Sequence, residues 1–118
     1  MRATIIAGVL GTLLATAGFA ADKLTPDAIK TAFFTGQEFT AATPSGVKFK
    51  MVFAPDGKMT RTPSAGAGAR GEGTWKSSKE GFCTTWKGAK QNCFTLVTAG
   101  DNKWSVMSGP SLKATWSK

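Results

Sequence analysis

Two cysteines, seven carboxylates and a complete absence of histidine bound the chemistry open to this chain. Cys83 and Cys93 are separated by nine residues and lie equidistant from Gly88. A hairpin folded about that glycine sets them opposite each other, pairs Phe82 with Phe94, and puts Trp86 across from Lys90. Directly opposed residues on antiparallel strands bring Cβ atoms to about 4.5–5.5 Å, and a non-hydrogen-bonded pair can close to disulfide distance. The competing chemistries are a redox dithiol and a metal site. The spacing is neither Cys-x-x-Cys nor zinc-like, and no imidazole can complete a ligand set. The pair is expected to be structural, and neither a metal nor another cofactor is expected.

The carboxylates are Asp22, Asp27, Glu38, Asp56, Glu72, Glu80 and Asp101. Four stand at turns or at a helix start, where short acids are favoured in any case. No pair has a spacing that argues for general acid–base work. No serine sits in a Gly-x-Ser-x-Gly elbow, and without histidine a hydroxyl nucleophile would need a lysine as its base. The chain is expected not to be an enzyme.

The cations are more informative. Residues 21–47 carry a net charge of −1, whereas residues 48–118 carry twelve Lys or Arg against four acids. Lys48, Lys50, Lys58, Arg61, Arg70, Lys76, Lys87 and Lys90 are the candidates for anion contact. The strand-borne members fall mostly opposite the apolar positions in parity. The plainer reading is a solvated outer face on which edge lysines resist aggregation. The sharper one is a contact surface for an anionic envelope component: an acidic lipid, lipopolysaccharide or a glycan. Nucleic acid is not expected, because the aromatic-basic signature is missing.

Aromatic residues divide in a similar way. Trp75, Trp104 and Trp116 alternate with polar neighbours, as core positions do. In a barrel open at one end, the same rings with Phe49, Phe53, Phe82 and Phe94 would line an apolar pocket. Trp86, paired with Lys90, is expected at the rim in a cation–π contact.

The elements that must position these residues follow from periodicity. Arg2, an apolar run from Ile5 to Leu14, and Gly18-Phe19-Ala20 read as a signal peptide (residues 1–20) cut after Ala20. That leaves one β domain at 21–118, periplasmic or secreted, and not membrane-spanning after cleavage. An oxidising compartment suits the disulfide. Thr25-Pro26-Asp27 opens a short helix with Ile29, Phe33 and Phe34 on one side, and Gly36 can end it. Period-two patterning then predicts strands at 37–43, 47–53, 58–62, 72–78, the two arms of the cysteine hairpin, 103–107 and 111–117. In the last of these Leu112, Ala114 and Trp116 are expected to share a face. Residues 63–71 have no period and three glycines, and should form the longest and most mobile loop. The fold expected is all-β with one short N-terminal helix: an antiparallel meander of about eight strands in a small up-and-down barrel or curved sheet. A two-sheet sandwich is the alternative.

Ser45-Gly46-x-x-Phe49-x-x-x-Phe53-x-x-Asp56-Gly57, then Gly73-x-Trp75, Cys83-x-x-Trp86 and Cys93, resembles a group of small exported proteobacterial all-β proteins of undefined function. The resemblance covers most of the mature chain and rests on turns, core tryptophans and a disulfide, so it implies location and fold and brings no catalytic residue. Gly-x-Trp is also similar to a motif of lipocalin-like and avidin-like barrels, although there it sits near the first strand and here it is central. Two roles are therefore expected to compete. One is a binding module for an anionic envelope component or for a small apolar ligand in the barrel. The other is a protein-interaction role, such as an inhibitor of an envelope hydrolase or an assembly factor.

The hairpin register has a direct check. Mass spectrometry of the purified protein should show no free thiol and one intrachain Cys83–Cys93 link. Reduction should cost about 2.5–3 kcal/mol by the chain-entropy account of a loop this size.

Overall fold

The computed structural model describes residues 22–64 and 69–118. The signal-peptide reading and the centre of the 63–71 loop lie outside the described residues. Helix α1 spans Pro26–Phe33. Eight strands follow: β1 Glu38–Ala42, β2 Lys48–Phe53, β3 Lys58–Pro63, β4 Gly71–Ser77, β5 Phe82–Trp86, β6 Gln91–Thr98, β7 Lys103–Ser108 and β8 Ser111–Ser117. Each pairs antiparallel with the next, and β1 pairs with β8, Ala41 facing Trp116. That last pairing closes an up-and-down barrel and rules out two separate sheets.

Helix α1 begins where the sequence predicts. The Thr25 side chain caps it by accepting from the Ala28 N–H at 3.1 Å, and Pro26 costs no hydrogen bond in the first turn. Its apolar side becomes the plug of one barrel end. Phe33 lies 5.0 Å from Phe39, 4.9 Å from Trp104 and 5.0 Å from Trp116, centroid to centroid. Phe34 stacks on Phe53 at 4.8 Å and packs against Trp75 at 4.2 Å and Phe82 at 5.6 Å. Burying each ring fully is worth about 1.5–3 kcal/mol, with about 0.5–1.5 kcal/mol more per well-placed aromatic pair. Trp75 is held in place by its indole N–H, which donates to the Ala54 carbonyl at 2.7 Å.

A segment with no predicted role braces this end. Beyond Phe82, β5 no longer covers β6, and residues 22–24 take its place. Leu24 N–H donates to the Leu96 carbonyl, Thr98 N–H to the Asp22 carbonyl, and Lys23 bridges to Val97. Lys23 also pairs with Glu80, and that hydrogen bond and charge hold the Glu80 carboxyl below its ordinary value.

Cys83 and Cys93 are bonded, with Cα atoms 3.9 Å apart, in the register expected from Gly88: Phe82 faces Phe94 and Cys83 faces Cys93. The ladder stops at Thr85–Gln91, and residues 87–90 form the turn, so Trp86 and Lys90 are not a ladder pair. The disulfide lies on the outer face, since Phe82 and Thr84 point inward.

Alternation fails in β8. Val106 pairs with Ala114 but Met107 pairs with Leu112, so Lys113 is an extra residue, a β-bulge. The bulge turns Leu112 off the face shared by Ala114 and Trp116. Leu112 is 44% exposed, a large apolar residue that the core does not take.

Two glycines let the backbone approach its neighbour more closely than a Cβ would permit. A Cβ on Gly73 would lie 2.3 Å from the Thr85 carbonyl oxygen, and one on Gly81 would lie 2.2 Å from that of Phe94. Backbone stands on both sides of these clashes, so no rotamer change relieves them. Gly73→Ala or Gly81→Ala should destabilise the protein by about 1–3 kcal/mol or more. Thermal unfolding should show this as a lower Tm, with exposed Thr74→Ala as a control changed by no more than about 0.5 kcal/mol.

Candidate binding site at the open end of the barrel

The end opposite α1 is not plugged. A cavity of about 180 Å³ opens there, with Phe53, Phe82 and Trp116 as its floor. Ala41, Met51, Thr84, Val106 and Ala114 form the walls, and Phe49, Phe94, Trp86, Arg61 and Lys113 stand around the mouth. Typical pockets for drug-sized ligands measure about 300–1,000 Å³, whereas an apolar cavity of about 150 Å³ takes up benzene. The space suits a body the size of one six-membered ring.

Six of the eight aromatic residues expected to line a pocket do so: Phe49, Phe53, Phe82, Trp86, Phe94 and Trp116. Trp75 and Trp104 belong to the closed end, beneath Phe34 and Phe33. The parity argument identified inward-facing rings, but only the position of the helix sorts them between plug and pocket. Met51 shares the apolar face of Phe49 and Phe53 in the sequence pattern, whereas Thr84 and Lys113 carry no signal of a site there. Thr84 is buried on the inner face, and parity alone could have found it. Lys113 could not have been found that way, because it reaches the mouth through the bulge.

The cations separate more sharply. Lys48, Lys50, Lys58, Lys76, Lys87 and Lys90 are exposed, as is Arg70. On the outer face of β2, β3 and β4 the lysines are interrupted, with Glu38 and Glu72 occupying the rank that runs through Val52 and Thr60. Arg61, grouped with them by charge, lies on the inner face, in register with Met51 and across from Gly71. It is half-buried and lines the cavity.

The Arg61 guanidinium lies over two rings, its central carbon 4.5 Å from the Trp86 ring centroid and 5.1 Å from that of Phe49. The rim cation–π contact expected for Trp86 thus comes from Arg61 and not from Lys90. Gly71 makes the room: a Cβ there would stand 3.1 Å from Nε and 3.5 Å from the Trp86 ring. Such contacts contribute about 0.5–2 kcal/mol, more as water is excluded.

One atom is left unmatched. Arg61 Nε is buried and has no hydrogen-bond partner among the described residues. A buried donor without an acceptor costs about 1–3 kcal/mol, and most native structures avoid it. The ion pair formed among the described residues, Lys23–Glu80, is elsewhere on the surface. Residues 1–21 and 65–68 contain no Asp or Glu that could supply a carboxylate. Among the described residues the mouth of the cavity carries two cations, Arg61 and Lys113, and no acidic side chain.

No protein-family model, curated protein or solved structure matches the chain.

The sheltered guanidinium has a spectroscopic signature. In a proton–nitrogen correlation spectrum the Arg61 Nε–H should give a slowly exchanging resonance displaced by the ring currents of Trp86 and Phe49. Arg70 Nε–H, on an exposed residue, should exchange fast and lie at the usual position. Trp86→Leu should return the Arg61 signal toward that of Arg70.

Proposed function

We propose that this protein is a non-catalytic, exported binding module that takes a small apolar ligand into the open end of its barrel. The observation that supports this most strongly is the cavity itself. Six aromatic side chains line a space that the described residues leave unfilled, although α1 and its C-cap supply two phenylalanines to fill the other end. Interiors normally pack to crystal-like density, and an unfilled apolar volume forfeits dispersion contacts along its lining. A ligand of ring size restores those contacts. The contact surface for lipopolysaccharide, acidic lipid or glycan has less in its favour, because the strand lysines are dispersed and interrupted by Glu38 and Glu72.

Benzyl alcohol is a suitable probe. Titrated into the isotope-labelled protein, it should shift the resonances of Phe49, Phe82, Thr84 and Val106 and leave those of the Lys50 and Lys76 strands' outer faces in place. Ala114→Phe, which fills the mouth from a half-buried wall position, should remove these shifts while the protein stays folded. Shifts confined to the outer face, or none at millimolar probe, would exclude the cavity as the binding site.

A further inference from the structure

Resting on the cavity reading, we infer that the ligand is a small amphiphile with a single carboxylate, its apolar body inside the barrel and its carboxylate held at the mouth by Arg61, with Lys113 beside it. Three separate features converge on this. Among the described residues the two charged side chains that line the cavity are both cations, and no carboxylate lines it. Arg61 is held ready for a planar anion. Trp86 and Phe49 fix the plane of its guanidinium, and Gly71 leaves the space it occupies. Its Nε–H lacks an acceptor among the described residues, so a carboxylate would satisfy a donor that the fold leaves open.

Geometry favours a carboxylate over a larger anion. The guanidinium fork matches two carboxylate oxygens in parallel hydrogen bonds, and the contact strengthens where the rings exclude water. Because Nε is buried, pairing through Nε and one Nη requires the fork to turn between the two rings. Lys113 contributes differently. Its bulge position brings an exposed, flexible ammonium to the rim, where it adds attraction without a fixed direction. Phe53, Phe82 and Trp116 at the floor offer no polar atom except the indole N–H, so the far end of the ligand must be apolar.

Phenylacetate and its neutral near-isostere phenylacetamide separate the two claims. Both should shift the cavity resonances, and phenylacetate should bind about tenfold more tightly, a difference of about 1.4 kcal/mol. Adding phenylacetate should also move the Arg61 Nε–H resonance downfield, a readout that needs no variant. Arg61→Gln should bring the two affinities together, and Lys113→Gln should reduce the preference by a smaller factor. Equal binding of the two probes to the native protein, without movement of the Nε–H signal, would overturn the carboxylate and leave the cavity reading intact. A preference that survives Arg61→Gln but disappears in Lys113→Gln would overturn the role of Arg61. Binding of neither probe in the cavity would overturn both readings together.

Discussion

The wedge that Phe33 and Phe34 drive into one end of the barrel is the contact on which the rest of the structure depends. Eight strands enclose an interior just wide enough to be filled by side chains or to hold one small ligand. Here it is filled from below. The two phenylalanines reach Phe39, Phe53, Trp75, Phe82, Trp104 and Trp116, which come from six different strands. A helix of eight residues is too short to be stable in water by itself, so these contacts hold the helix as much as the helix holds the barrel. The paired segment at residues 22–24 and Lys118, which lies over the Phe33 ring and bonds the Ala32 carbonyl, fasten the wedge from either side. A cation at the end of the helix also suits its dipole.

Because the packing is concentrated at one end, the other end has a different character. Ala41 and Ala114, on the paired strands β1 and β8, are too small to fill the space in front of them, and the volume between them and the aromatic floor stays open. Two local irregularities then set the chemistry of the rim. Gly71 removes a side chain where Arg61 needs space, and the bulge in β8 brings Lys113 to the mouth when regular alternation would aim it outward. Bulges and strand glycines are common where a barrel re-aims a side chain near a site. The disulfide acts at a distance from all this. It fastens β5 to β6 on the outer face and takes no part in the cavity, although Phe82 and Phe94, its flanking residues, are held in register by it.

The opposed placement of Cys83 and Cys93 about Gly88, the alternation of Lys48-Phe49-Lys50-Met51, and the Thr25-Pro26-Asp27 helix start are all local. Each depends on neighbours in the chain, so a disulfide hairpin, eight short strands and one helix could be read from the sequence. Closure could also be argued there, since a meander of half-apolar strands must dispose of its edges. What the sequence could not show depends on contacts between distant residues. Trp75 and Trp116 have the same alternating surroundings, yet one lies beneath the plug and the other forms the cavity floor, because only the docking of α1 distinguishes the two ends. Arg61 has the composition of a surface cation, and alternation puts it on the inner face with Met59, but its place between Trp86 and Phe49 is decided by the pairing of β3 with β2 and by Gly71. Lys113 and Leu112 exchange their expected roles through a single extra residue, which period-two reasoning cannot detect. Periodicity along the chain determined the elements. Which end is filled, and which cation guards the other, was decided by packing across the barrel.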